Sequence, residues 1–349
     1  MRRRDFLGVA SGAVATWPLV ARAQRPKNIP RLCFLTFDPN ASRSTRFGPF
    51  FDGLRDLGYV DGQTISIDYL SADGDSERFP TLAAECLRLK ADIIAVSTTP
   101  ATQAAKKITR TTPIVMIALG DPVGTGLVDS LAQPGGNVTG MSLMASDVAA
   151  KRLELLKEAV PAISRVLVLS YLADPIAPLQ VKALEKAAHS LGVALQVQDI
   201  RTADDLTAAF DAGARERAEG LLTTAESIFV AQRALVSELA ARYRLPAMYP
   251  FTIQVADAGG LMAYDTDYPD LERRAATYVD KILKGAKPSD LPIQQPTKFT
   301  LVINLKAAKA LGLTISESFL RRATNLSNDS LFAAVHESDA QSRHGGARL

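Results

Sequence analysis

The chain has 349 residues, 47% of them hydrophobic, and its 40 Lys and Arg against 37 Asp and Glu leave a net charge of +3. Arg2, Arg3, Arg4 and Arg22 against Asp5 place that whole excess in the first 23 residues, so the remainder carries 36 charges of each sign. A neutral body without a dense basic run excludes nucleic acid and anionic membrane as electrostatic partners. Its apolar content excludes a disordered chain.

Residues 1–23 read as an export signal. Arg3-Arg4-Asp5-Phe6-Leu7 is similar to the twin-arginine motif, and a mildly apolar stretch runs from Gly8 to Val20. Ala21-Arg22-Ala23 then offers the small-x-small pattern that signal peptidase cuts, before Gln24. The stretch is too short and too glycine-rich for a permanent membrane span. No Cys follows the cleavage site, so neither a lipid anchor nor any other stable membrane anchor is expected, and the mature chain is expected to be soluble and periplasmic.

From residue 31 the pattern is short apolar strand, polar loop, amphipathic helix. Strands are predicted at 31–37, 64–70, 92–97, 113–118, 165–170, 193–199, 219–223 and 246–249, apolar enough to be parallel strands covered on both faces. The stripe Phe47, Phe50, Phe51, Leu54, Leu57 marks one helix, and Val181, Leu184, Ala188, Leu191 marks another. Thr202 and Asp205 have capping-box spacing, and Ser146 is expected to cap the first helix of a second lobe. Cys33 and Cys86 both fall on apolar stripes and read as core residues. An oxidising compartment would permit a disulfide, but spacing alone does not establish one.

The order of elements is repeated. Arg31–Phe37 returns as Arg165–Tyr171, Leu57-Gly58 as Leu191-Gly192, Ala91-Asp92-Ile93-Ile94 as Ala218-Glu219-Gly220-Leu221-Leu222, and Pro113–Met116 as Pro246–Tyr249. Two α/β lobes, each a doubly wound parallel sheet, follow from the repeat, with a cleft between them. Gln133-Pro134-Gly135-Gly136-Asn137 closes the first lobe as a turn cluster, and Val138–Ser142 leads out of it. Beyond Pro250 come a strand at 261–264, a helix ended by Gly285, a Pro-rich joint at 287–292 and a last strand at 298–304. One strand–helix unit on each side of that joint suggests that the chain returns to the first lobe and crosses again. The expected division is therefore 29–142 plus 251–292 for lobe 1, 143–250 plus 293–325 for lobe 2, and 326–349 as a flexible tail.

In open α/β sheets a ligand sits beyond the carboxyl ends of the strands, where helix N-termini present free N–H groups. That rule selects the loops at 37–44, 98–101, 120–123, 171–174, 223–227 and 249–251. Thr98, Thr99, Thr223, Thr224 and Ser42 are candidates for hydrogen bonds to a ligand, notably to a carboxylate. Asp121 and Asp174 are candidates for an ammonium group, and Phe37, Tyr171 and Tyr249 for an apolar or aromatic ligand body. The threonines would serve equally as helix caps, the aspartates as turn residues before Pro122 and Pro175, and the aromatics as core.

Enzyme chemistry has little to stand on. His189, the one histidine of the folded body, lies between Ala188 and Ser190 on a helix, and no paired ligands or Cys-x-x-Cys suggest a metal. There is no nucleophile elbow, and Asp121-Pro122-Val123-Gly124-Thr125-Gly126 lacks the lysine of a phosphate loop. No cofactor and no metal are expected.

Several segments resemble one family. They are Phe50-x-x-Gly53-Leu54-x-x-Leu57-Gly58-Tyr59, Gly120-Asp121-Pro122-Val123, Gly126-Leu127-Val128-x-Ser130-Leu131, Gly259-Gly260-Leu261-Met262, Tyr278–Gly285 and Pro296–Lys306. The most specific is Pro134-Gly135-Gly136-Asn137-Val138-Thr139-Gly140. Together they resemble the ABC transporter substrate-binding proteins of the type that includes tryptophan-binding, TrpX-like members, over roughly residues 30–323. The resemblance implies a type I periplasmic-binding fold with three crossings, a small solute clamped between the lobes by hinge closure, and a permease in the inner membrane as partner. An amino acid or related solute is the expected ligand, and a monomer the expected state. A ligand-sensing input protein for a membrane receptor, and an exported enzyme, are the alternatives.

The N-terminal reading predicts that the mature protein begins at Gln24 and that Arg3→Lys with Arg4→Lys blocks export. Recovery of the uncleaved chain from the cytoplasm of its native host would contradict it.

Overall fold

The computed structural model describes residues 29–38 and 45–327. The expected signal, residue Ser42 and the tail from 328 onward lie outside them. Two sheets organise the chain. The first contains β1 (Arg31–Thr36), β2 (Ser66–Ser71), β3 (Ile93–Val96), β4 (Ile114–Leu119) and β5 (Val138–Ser142), in the order β2-β1-β3-β4-β5 and parallel throughout. The second contains β6 (Arg165–Ser170), β7 (Ala194–Asp199), β8 (Gly220–Thr223), β9 (Ala247–Tyr249), β10 (Met262–Thr266), β11 (Phe299–Asn304) and β12 (Asn325–Ser327). Its order is β12-β11-β10-β9-β8-β6-β7, and only the β10–β11 pairing is antiparallel.

Helices α1 (Gly48–Asp56), α2 (Phe79–Arg88) and α3 (Thr99–Ile108) belong to the first sheet. Those of the second are α4 (Ala145–Ala159), α5 (Ala177–Leu191), α6 (Asp204–Arg215), α7 (Ser227–Ala231), α8 (Arg233–Arg242) and α9 (Ile253–Ala256). Helix α10 (Tyr268–Leu283) follows, then α11 (Leu305–Leu311) and α12 (Glu317–Leu320). Strand alternation sorts the core into two layers per lobe, because successive side chains leave opposite faces. Leu32 and Phe34 of β1 meet α1 and α10, whereas Cys33 and Leu35 meet α2 and α3. In the second lobe Val166 and Val168 face α4 and α5, and Leu167 and Leu169 face α6 and α8.

Two glycines of the family-like segments have steric reasons. A Cβ on Gly53 would stand 3.0 Å from the Cβ of Ala276, so α1 and α10 approach as closely as they do because residue 53 has no side chain. Gly140 has φ of +134° and would drive a Cβ to 2.2 Å from the carbonyl oxygen of Met116. Only glycine fits there, which lets β5 lie against β4.

Four expectations need correction. The segment 138–142 is a fifth strand, not an exit loop, with register Ile114↔Val138 and Val115↔Thr139. The strand expected in lobe 1 at 261–264 belongs to the second sheet, where β10 lies between β9 and β11. Only α10, which packs on α1, β4 and β5, returns to the first lobe. Leu326 and Ser327, placed in the tail, pair with Ile303 and Asn304 as part of β12. Ser146 caps nothing: Met144, in a left-handed conformation, precedes α4, and the Ser146 hydroxyl has no hydrogen-bond partner. The Thr202–Asp205 pairing does form, with the Asp205 carboxylate accepting from the Thr202 N–H at 2.8 Å.

The chain thus passes between lobes after β5, after β10 and again before β11. The last passage is tied to the first, since the Ser142 N–H donates to the Gln294 carbonyl at 2.8 Å and the Gln294 N–H to the Gly140 carbonyl at 3.0 Å.

Cys33 and Cys86, both fully buried, form a disulfide between β1 and α2 with Cα atoms 5.7 Å apart. It closes a loop spanning 53 positions, and such a cross-link restricts the unfolded chain by about 4 kcal/mol in the chain-entropy account. Replacing both cysteines by alanine should lower unfolding free energy by about 2–5 kcal/mol, measured by denaturant titration without reductant. An unchanged midpoint would show that the bond contributes nothing.

Candidate ligand site between the lobes

The carboxyl ends of the strands in the two sheets face each other across a narrow cavity of about 30 Å³. One wall comes from lobe 1: Ser97, Thr98 and Thr99 where β3 enters α3, and Ala118–Gly120 at the end of β4. The opposite wall comes from lobe 2: Asp174 after β6, Glu226 after β8 and Phe251 after β9. Arg46 and Tyr268 close one side. The lobes touch here. Gly120 lies so close to Ile176 that a Cβ on it would meet the Ile176 side chain at 2.6 Å, and the space over Gly124 is taken in part by Leu179.

The two walls differ in polarity. Thr98 is the N-cap of α3, its hydroxyl accepting from the Ala101 N–H at 3.3 Å, and Pro100 occupies the first turn. Ten residues of aligned peptide dipoles therefore present their positive end to the cavity. Opposite stand two buried carboxyls. Asp174 is 7% exposed and accepts one N–H, from Ile176 at 3.1 Å; burial pushes its pKa up to about 7. Glu226 is 2% exposed; burial, reinforced by the charge of Asp174, pushes it up to about 8. Both Glu226 oxygens are held from behind: the Gln180 amide donates to one at 2.7 Å, and the Thr224 hydroxyl donates to the other. Gln180 is fixed in turn by accepting the Ala225 N–H at 3.0 Å.

An aromatic side completes the site. The Arg46 guanidinium lies 5.2 Å from the ring centre of Phe47, 5.7 Å from Phe251 and 5.8 Å from Tyr268, and it is paired with Asp38 at 3.1 Å. Phe251 and Tyr268 pack edge to face with ring centres 5.9 Å apart. Burial by itself would lower the Arg46 pKa, but Asp38, Tyr268 and Glu272 outweigh it, and the group is held above the usual arginine value.

The structure brings three of the ten sequence candidates to the cavity wall: Thr98, Thr99 and Asp174. Thr224 stands one layer behind, holding Glu226. Ser42 lies outside the described residues, and the remaining five are elsewhere. Phe37 belongs to the core between the first sheet and α2–α3. Thr223 is fully buried at the end of β8 with its hydroxyl unbonded. Tyr249 shares the face of Ala247 on β9 and points to α8, where its ring covers Gly260 and lines a separate cavity between α8 and α11. Tyr171 packs at the rim of the core under α6 and α8. The carboxylate of Asp121 accepts the Gly124 N–H at 2.9 Å and so shapes a turn. Glu226, Phe251, Arg46 and Tyr268 were not singled out from sequence. Glu226 could have been found as the one acidic residue of the selected loop 223–227, and Phe251 as an aromatic within loop 249–251.

Residues 38–327 match the family described as ABC transporter substrate binding protein. The tyrosine-binding protein of Clostridioides difficile is 30% identical over 264 residues, which is 76% of this chain and 75% of that one. A Streptococcus pneumoniae domain solved in complex with L-Trp is 26% identical with a TM-score of 0.79, covering 85% of this chain and 99% of that one. A ligand-free, open substrate binding protein with adhesive properties from Clostridium difficile is 25% identical with a TM-score of 0.62, covering 86% and 99%. The chain has two α/β lobes in the type I periplasmic-binding fold and belongs to the ABC transporter substrate-binding protein family.

Proposed function

We propose that this protein captures an amino acid between its lobes and delivers it to an ABC permease in the inner membrane. The observation that carries the reading is the opposite polarity of two facing walls: a helix N-terminus with Thr98 and Thr99 on one, Asp174 and Glu226 on the other. A zwitterion fits that pair of walls in one orientation, its carboxylate at the first turn of α3 and its ammonium at the acids. Phe251 and Tyr268 offer apolar area to the ligand's side chain. Two relatives support the class, one named for tyrosine and one solved with L-Trp.

Closure follows from the same contacts. A ligand that touches both lobes favours the closed arrangement by its difference in affinity for the two states. The touching of Gly120 and Ile176, and a better superposition on the L-Trp complex than on the open relative, support a closed arrangement of the lobes in the described structure. Export to the periplasm, cleavage before Gln24 and action as a monomer complete the proposal.

Purified protein is to be denatured, the released solute identified by mass spectrometry, and that solute titrated calorimetrically. One-to-one binding is expected. N-acetylation, which removes the ammonium, should weaken binding by about tenfold or more, as expected from losing a charged hydrogen bond worth about 1.5–3 kcal/mol. Esterification of the carboxylate should weaken it as well. Equal affinity for the blocked and free forms would overturn the reading.

A further inference from the structure

The described residues around the interlobe cavity bury more acid than base. Arg46 is paired with Asp38 and feels Glu272, whose carboxyl is 1% exposed on α10. Arg152 on α4 is 3% exposed, donates to the Tyr264 carbonyl at 2.8 Å and to the Pro250 carbonyl at 3.3 Å, and lies in the field of Asp265 before that of Glu226. Asp265 is in turn held by the N–H groups of Thr252 and Thr266. Five carboxyls therefore share two guanidinium groups, and the two lining the cavity on the lobe 2 wall have the least of that charge. Asp174 has only the Ile176 N–H. Around Glu226 the neighbours are Gln180 from α5, Thr224 just past its own strand, the donating Tyr171 N–H and Asp174 from the β6–α5 loop, and the more distant Arg152. Across the gap stand Arg46 and Tyr268, and among the described residues no lysine or histidine lines the cavity.

Two carboxyls confined in one water-poor cavity without a dedicated cation do not both stay ionised, because each penalises the charge of the other. Resting on the reading above, we infer that the Asp174–Glu226 pair holds a proton when the cavity is empty and releases it when the ligand's ammonium arrives, so that capture is coupled to pH. The O–H bond of a carboxylic acid breaks, its proton passes to solvent, and the resulting carboxylate accepts an N–H from the ammonium. The upward shifts of Asp174, to about 7, and Glu226, to about 8, place the exchange in the neutral range. The sign follows directly. At low pH the ligand must displace a proton and binds weakly; as pH rises towards 8 the proton is already leaving and binding tightens.

The released solute, with L-Tyr and L-Trp as probes, is to be titrated at pH 7 in two buffers of different ionisation enthalpy, and its Kd followed from pH 6 to 8. We expect release of roughly half to one proton per ligand and a Kd that falls several-fold, up to about tenfold, per pH unit. In the ligand-free protein, carbon-detected NMR of the carboxyls should show a group titrating above pH 6 that vanishes in Asp174→Asn or Glu226→Gln and that no longer titrates there with ligand bound. Binding with buffer-independent heat and a flat Kd would overturn the coupling while leaving amino-acid capture standing. Failure of any amino acid to bind would overturn both.

Discussion

Parallel strands deliver their carboxyl ends to one edge of a sheet, and in this chain two such edges are turned towards each other by three passages of the backbone. The polarity of the site depends on that constraint. Each wall has helix N-termini behind it. The lobe 1 wall caps α3 with the neutral Thr98, whereas the lobe 2 wall sets acids before its helices, Asp174 ahead of α5 and Glu226 at the start of α7. A ligand with separated charges is the natural occupant of such a gap.

The acids are held in place at an energetic cost. Gln180 and Thr224 fix Glu226, and the Ile176 N–H fixes Asp174, yet none of these partners supplies a full positive charge. A carboxyl whose pKa is raised in the folded state binds a proton that the unfolded chain has already lost. Its contribution to stability is present below about pH 4 and fades as pH climbs through the raised value, here about 7 to 8. The empty protein carries that destabilisation at neutral pH, and a bound cation removes it. Binding energy and fold stability are therefore linked at the same two side chains.

Much of the fold was legible in the sequence, for physical reasons that also explain the gaps. The repeat from Arg31–Phe37 to Arg165–Tyr171 marks two equivalent central strands, and these are β1 and β6. Strand β5 was hidden because Gly140 and the preceding Pro-Gly-Gly cluster read as a turn; the glycine is there to let two strands approach. The lobe of β10 was misread because a passage between lobes occurs between a strand and its following helix, and nothing local marks it. In the site, the rule of strand carboxyl ends found the right loops, but the parity of a three-residue strand decides which side chain faces inward. Alternation puts Tyr249 on the core face with Ala247, and Phe251 reaches the cavity because the chain bends once β9 has ended. Glu226 escaped notice because its role depends on Gln180 and Thr224, partners 46 and two positions away.

The most direct test is a crystal structure of the protein with its released solute. The account predicts the ligand between the lobes, its ammonium nitrogen within about 3.2 Å of a carboxyl oxygen of Asp174 or Glu226, and its carboxylate at the first turn of α3 beside Thr98 and Thr99. A ligand bound in the reverse orientation, with its carboxylate against Asp174, or one seated outside the interlobe cavity, would contradict it.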